Sequence, residues 1–488
     1  MRLRVNTRQE PSETPQGLGL RQSSGAFQRA TAVPKAPEDW RSPRRCRAQR
    51  SHSESGSLLI IVLWIAFGLV ALTLYFAHSM NLELRASDNR VAAIEAGQAI
   101  DGAARYLSNL LATVAYPGVM FSPMEIHCEA VPVGEAKFWL IGRDTNDWVT
   151  SISRPAFGLV DEASKINLNA PWLNADRIQY LPGMTPYIAA AIMDWRDSDS
   201  TVSTDGAEDE TYGRLSQPYK TKNAAFESVE ELRLVSGMTA EVLYGEDANW
   251  NGILDANEND ADSSAPYDNR DGRLDPGLME YFTVYSREPA VGTNINSQQE
   301  VRVLLEGTFG QSRANEIRRQ LFPAGPPRPM SSMLEFYLRG GFTEDEFAQV
   351  ADYMTASTNS FTDGLVNVNT AKEPVLECIP GIGVDYAAAM VSYRESNPSK
   401  LATVAWVAEV VGDTNALAAG PYITTRSFQY TADIAALGHH NRGYQRVKFV
   451  FATSKGVPIL LHRQDLTHLG WALGKDTRTE LLAAKEIR

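Results

Sequence analysis

From Ser57 to Phe76 the chain is uncharged and almost wholly apolar. An uninterrupted run of roughly 20 such residues predicts one helix able to cross a bilayer. Beyond it the pattern turns periodic: Ile100, Ala103, Ala104, Leu107, Leu110 and Leu111 recur at three- and four-residue spacing, the stripe of an amphipathic helix. The apolar run therefore reads as the first half of a long helix whose second half packs on a domain, with Pro117 and Gly118 as its predicted end. Arg44, Arg45, Arg47 and Arg50 precede the run, with no acid until Glu54. That basic excess puts the N-terminal side in the cytoplasm and the rest across the membrane.

Alternating patterns predict strands at Lys137–Gly142, Ala156–Asp161 continuing to Ile166–Asn169, Ser427–Ile434 and Arg446–Phe451. Val457–His462 adds an edge strand, where Pro458 is tolerated. Strands at both ends with helical sequence between them predict one sheet carrying a large insertion. Inside the insertion a unit recurs: Asn167-Leu-Asn169, Asn294-Ile-Asn296 and Asn367-Val-Asn369 each end a strand-like run. Each is followed by helical sequence closing on arginine, at Arg196, Arg319 and Arg394. Asn, Ser and Thr at these junctions can cap the next helix through side-chain oxygens. The irregular spacing excludes a regular solenoid.

Composition adds a constraint on partners. The chain carries a net charge of −13, although residues 1–56 hold eleven Lys/Arg against five Asp/Glu. The chain beyond the apolar run is therefore strongly acidic, which disfavours a nucleic-acid surface. Residues 1–55, rich in Arg, Gln, Ser and Pro, read as disordered or processed. Cys46, Cys128 and Cys378 are too few for a disulfide scaffold. A Cys128–Cys378 bridge is chemically allowed on the translocated side, and two buried free thiols are the alternative.

The most specific chemical pattern runs from Asp247 to Glu258. Asp247, Asn249 and Asn251 take the first, third and fifth places of a twelve-residue calcium loop, followed by Gly252, the carbonyl of Ile253, Asp255 and Glu258. Hard oxygens at alternate positions around a glycine turn suit calcium; an ordinary acidic turn is the competing reading. Asp268, Asp271 and Asp275 around Gly272 offer a second cluster that loses the register at Leu278. The turns Leu181–Thr185 and Ile379–Gly383 match a helix-hairpin-helix, whose backbone N–H groups can meet a DNA phosphate. Neither turn contains Lys or Arg, so compact helix pairing is preferred. Hydrolase, metalloprotease and P-loop signatures are absent. His439-His440 reads as a solvated turn, and the Asp194–Asp197 run as the close of the first helical unit.

Gly56 followed by the Ser57–Trp64 stretch resembles the prepilin-peptidase site and hydrophobic helix of type IV pilin-like proteins. More narrowly, the chain resembles the K-type minor pseudopilin of the bacterial type II secretion system. Ile61 stands where most pseudopilins carry glutamate, and the K type characteristically lacks it. The runs Val160–Asn169, Asp194–Asp197 and Ser228–Gly237 are also similar to that family. The resemblance implies an α+β, pilin-like fold, with a long helix on an antiparallel sheet and a large inserted helical domain that binds calcium. It implies cleavage after Gly56, an N-methyl group on Ser57, and a non-enzymatic role at the pseudopilus tip with I- and J-type subunits. Prepilin peptidase and the inner membrane are the other partners implied. Here 56 residues precede the cleavage point, where the family leader is short and basic.

The expected organisation is a leader at 1–56, the spanning and packing helix at 57–116 and the first sheet strands at 117–168. A helical domain with the calcium loop comes next at 169–290, then further helical units at 291–425, and the closing strands and tail at 426–488. A membrane-anchored DNA-uptake protein is the rival, and charge around Pro182-Gly183 and Pro380-Gly381 separates the two. An anchored calcium-stabilised adhesion module, needing no peptidase, is a further alternative.

Overall fold

The computed structural model describes residues 55–486, except 117, 122–124, 144–152, 262, 325 and 327. The leader up to residue 54 lies outside the described residues. The chain divides into two units, Met1–Tyr75 and Phe76–Arg488. In the first, helix α1 (Ser55–Thr113) begins, with Gly56 and Ser57 in its first turn. The apolar side chains from Leu58 to Tyr75 are exposed. Among the described residues this is the one helix long and apolar enough to cross a membrane.

In the second unit α1 continues to Thr113, four residues short of Pro117, which is itself outside the described residues. The sheet it packs on comes from both ends of the chain. Strands β1 (Val131–Val133), β2 (Ala136–Ile141) and β3 (Val160–Asp161) precede the helical units; β12 (Gln429–Gly438), β13 (Arg442–Ala452) and β14 (Ile459–Asp465) come after them. Their order is β1-β2-β12-β13-β14, with β3 also on β12, and every pairing is antiparallel. The strand expected at Ala156–Asp161 shrinks to β3 and a bridge from Phe157 to Ile141. β14 is the predicted edge strand.

Period-two alternation decides which face meets the helix. Tyr430, Ala432, Ile434 and Ala436 of β12 join Val447, Phe449 and Phe451 of β13 against Ala96, Ile100, Ala103, Leu107 and Leu111 of α1. The intervening Ala435 and Leu437 pack with Trp139, Ala472 and Leu473 on the opposite face. Where the β12–β13 hairpin crosses α1, a Cβ on Gly438 would lie 2.1 Å from the Ala92 carbonyl oxygen, so only glycine fits.

That hairpin also corrects the reading of His439 as a solvated turn residue. Its Nδ1 lies 2.7 Å from Glu95 Oε2 and its Nε2 2.8 Å from Asp88 Oδ1, while Arg442 also pairs with Asp88. The two carboxylates raise the His439 pKa above its ordinary 6.5, chiefly through the hydrogen bond to Asp88. A histidine raised in the folded state gives its full stabilisation below the unfolded pKa and loses it as pH rises through the raised value. The melting temperature should therefore fall on alkaline titration through that range, and His439→Gln should flatten the fall. Equal slopes in the two proteins would remove His439 as the cause.

Between the sheet halves, each asparagine unit opens and closes on a two-residue parallel ladder. β4 (Ile166–Asn167) pairs with β5 (Phe282–Thr283), β7 (Thr293–Asn294) with β8 (Met354–Thr355), and β10 (Val366–Asn367) with β11 (Ile423–Thr424). β6 (Arg287–Pro289) and β9 (Phe361–Asp363) form an antiparallel neck around the middle unit, closed by a bidentate Arg287–Asp363 pair.

The leading asparagines do not cap helices as expected. Asn167, Asn294 and Asn367 instead accept the backbone N–H two residues on, at 2.8, 2.8 and 3.0 Å. The second asparagine of each pair fastens a later loop: Asn169 to Phe226, Asn296 to Met330 and Asn369 to Leu401. Arg196 donates to the carbonyls of Leu168, Ala170 and Leu173, and Arg394 to those of Val368 and Ala371, so both bind the start of their own unit. Cys378 is a buried thiol, and among the described residues no bridge joins it to Cys128.

Candidate metal centre

The Asp247–Glu258 loop folds around its own oxygens. Asp247 accepts the N–H of Asn251 at 2.9 Å and of Gly252 at 2.8 Å, which requires the left-handed φ of +74° at Gly252. Glu258, at the twelfth place, reaches back to the N–H groups of Ala248 and Asp255, both at 2.9 Å, and closes the ring. Asp255 accepts both Asn249 and Asn251 side-chain amides. Asp247, Asn249, Asn251, Ile253 and Glu258 are all buried.

A cluster this oxygen-rich and this buried is electrostatically incomplete. Burial pushes the Glu258 carboxyl up to about 8, with Asp247 adding to the shift. Burial raises Asp247 too, against the pull of Arg143. Asn249 Oδ1 is buried without a hydrogen-bond donor. An orphaned carbonyl-type oxygen beside two carboxylates fits the donor set of a hard cation. No three His, Cys, Asp or Glu side chains converge as metal ligands among the described residues. The loop's set is accordingly mixed, with amide and main-chain oxygens beside the acids.

The second cluster has hydrogen bonds of its own. Asp268 accepts from Ala261 and Arg270, Asp271 from Arg273, and Asp275 from the Asn269 amide. Glu246 gathers them by accepting the N–H groups of Asn269 and Asp275. Sequence spacing missed Glu246 because it precedes the loop's first position; only its burial reveals it.

Two arginines missed from the sequence dock the loop on the sheet. Arg446 of β13, wholly buried, pairs with Asp433 of β12 and donates to the carbonyls of Asn249 and Trp250. Arg143 donates to the Trp250 carbonyl at 2.7 Å and pairs with Glu280 at 3.2 Å. Burial alone would raise Glu280, but Lys372 and Arg143 pull it down to about 2. The strand pattern predicts a half-buried strand at Arg446, where the ionised partner of a distant loop is invisible.

The two hairpin turns offer little to a phosphate. The cavity beside Pro182-Gly183 has a mixed lining, with Glu241, Asp275, Glu373 and Glu377 facing Arg143, Arg273 and Lys372. At Gly381 a Cβ would stand 2.3 Å from the Asn415 carbonyl, so the turn is spent on packing against the helix Asp413–Ala419.

These features define a protein with one membrane-length helix, an antiparallel sheet packed on that helix, and helical units inserted into the sheet. The family described as Type II secretion system (T2SS), protein K, matches residues 176–244, within the first helical unit. "Type II secretion system protein K" of Pectobacterium carotovorum subsp. carotovorum is 42% identical over 55 residues, 11% of this chain and 17% of the relative. The Klebsiella pneumoniae protein of the same name is 46% identical over 57 residues, 12% of this chain and 17% of the relative. The aligned stretches thus span about a sixth of the length of these relatives. The solved GspK-GspI-GspJ complex from the enterotoxigenic Escherichia coli type 2 secretion system aligns over 76% of this chain and 98% of that one. Its identity is 12% and its TM-score 0.34, too low to carry an argument. The resemblance to type II secretion protein K read from the sequence is borne out by the segment 176–244.

Proposed function

We propose that the chain is a K-type minor pseudopilin of a type II secretion system, a non-enzymatic subunit at the tip of the periplasmic pseudopilus. The observation that carries this reading is the protein K match at 176–244, inside helical units that interrupt a sheet packed on a membrane-length helix. Prepilin peptidase cleaves after Gly56 and leaves Ser57 as the methylated terminus. The chain is held in the inner membrane by α1 until assembly, with its C-terminal part in the periplasm and I- and J-type subunits as partners. Ile61 supports the tip position: a buried glutamate needs an amine ahead of it, and a terminal subunit has none. The packed Gly381 turn and the acidic charge of the chain weigh against DNA uptake.

Calcium belongs to the same reading. Asp247, Asn249, Asn251, the Ile253 carbonyl, Asp255 and Glu258 would hold it, and Asp268, Asp271 and Asp275 with Glu246 offer a second cradle. Bound calcium supplies positive charge to a buried acidic loop, and Arg143 and Arg446 carry that loop onto the sheet.

Mass spectrometry of the N-terminus, from membranes with and without prepilin peptidase, tests the assignment. A mature start at Ser57 that depends on the peptidase is expected. An intact leader in both samples would sink it.

A further inference from the structure

The middle unit and its two neighbours do not close completely on one another. A cleft of about 500 Å³ lies at their junction, within the size range of small-molecule sites. Trp172 lines it from the first unit, Glu288 from the β6–β9 neck, Thr355 from the middle unit and Tyr422 from the third. Glu288 stands directly opposite Thr362 in the neck ladder, so the two share one face.

The charges of the cleft are paired except at one atom. Asp352 pairs with Arg426 and Asp363 with Arg287. Glu288 Oε2, by contrast, is buried without a hydrogen-bond donor. Burial raises the Glu288 pKa, against the pull of the Thr424 hydroxyl and the Arg426 guanidinium. Hydroxyls supply most of the remaining polarity. The oxygens of Ser332, Thr355 and Thr403 already accept main-chain N–H groups, at 3.1, 3.1 and 3.3 Å, so each keeps a proton to donate. One wall is aromatic: Trp172 and Tyr422 meet at 5.3 Å with their planes tilted by 52°. The indole is held in place by Nε1, which donates to the Gly364 carbonyl at 2.9 Å.

These groups select a ligand by exclusion. An anion would meet the carboxylates of Glu288, Asp352 and Asp363, and an ammonium would meet Arg426 beside its one acceptor. A calcium-like cation needs roughly six to eight oxygens, and Glu288 is the one carboxylate left uncommitted. A wholly apolar ligand would leave Glu288 and the hydroxyl protons without partners. A neutral polyhydroxylated molecule satisfies all of them. We propose that the cleft binds a short neutral oligosaccharide, with Glu288 as acceptor, Ser332, Thr355 and Thr403 as donors, and Trp172 and Tyr422 as the platform for a sugar ring. The bound sugar touches all three units and braces the middle one on its neck. This inference does not depend on the chain being a pseudopilin.

Calorimetric titration of the full-length chain, in a detergent without a sugar headgroup, tests the site with chitotriose and cellotriose as probes. Saturable binding of at least one is expected, with a change in tryptophan fluorescence. Binding of chitotriose alone would make the acetamido group part of what is recognised; equal binding would assign recognition to the ring hydroxyls. Glu288→Ala and Trp172→Leu should each weaken binding at least about tenfold, through loss of the acceptor or of the platform. If either fails to fold, Thr362→Trp provides the measurement: it fills the cleft from the neck and should abolish binding at an unchanged melting temperature. No binding of either sugar at millimolar concentration overturns the proposal, as does binding that the folded variants leave unchanged. Spermidine binding in place of the sugars would make this an amine site and overturn it equally.

Discussion

Arg446→Met should destabilise the folded chain by about 3–5 kcal/mol, the cost of leaving a buried charge without its partner. Arg446 is wholly buried, and Asp433 accepts from it at 2.8 and 2.5 Å. Its removal strands that carboxylate inside the sheet and frees the carbonyls of Asn249 and Trp250. Adding Asp433→Leu should recover much of the loss, because an apolar pair of similar volume often replaces a buried ion pair without penalty. Chemical denaturation of the single and double variants checks both. A single variant within about 1 kcal/mol of wild type would mean that this pair does not hold the loop to the sheet.

Calcium removal should have the second large effect. A ligand bound only by the folded state stabilises by about 4 kcal/mol at a thousand times its dissociation constant. Chelation should therefore lower the melting temperature by several degrees, and Glu258→Gln should abolish this loop's share of the shift. Glu258 is the sensitive position because burial holds its carboxyl near 8, so a cation is what favours its ionised form. A chelator response identical in wild type and Glu258→Gln would eliminate the loop as the source.

What the sequence disclosed was whatever repeats locally. The stripe from Ile100 to Leu111 announced a helix face, and the alternation in β12 and β13 announced which residues meet it. The spacing from Asp247 to Glu258 was legible because the side chains that fold the loop lie close together in the chain. Long-range partners were not. Arg446 is separated from Trp250 by 196 positions and His439 from Asp88 by 351, and no local pattern encodes such encounters. The burial of Asp194 was hidden for a related reason. The neighbouring Arg196 does close the unit, and that visible role concealed a carboxylate whose isolation appears only once its burial is known.

The asparagine units enter and leave the structure at nearly the same point. Thr293–Asn294 runs beside Met354–Thr355, and the neck of Arg287–Pro289 with Phe361–Asp363 closes behind them. The middle unit thus enters and leaves through a two-strand stalk, while its buried side chains share one core with the units on either side. Joining the stalk strands by a short turn would delete it without rethreading the sheet. Chain length between the sheet halves becomes a matter of how many units are hung there, while the sheet and the part of α1 it packs on stay the same.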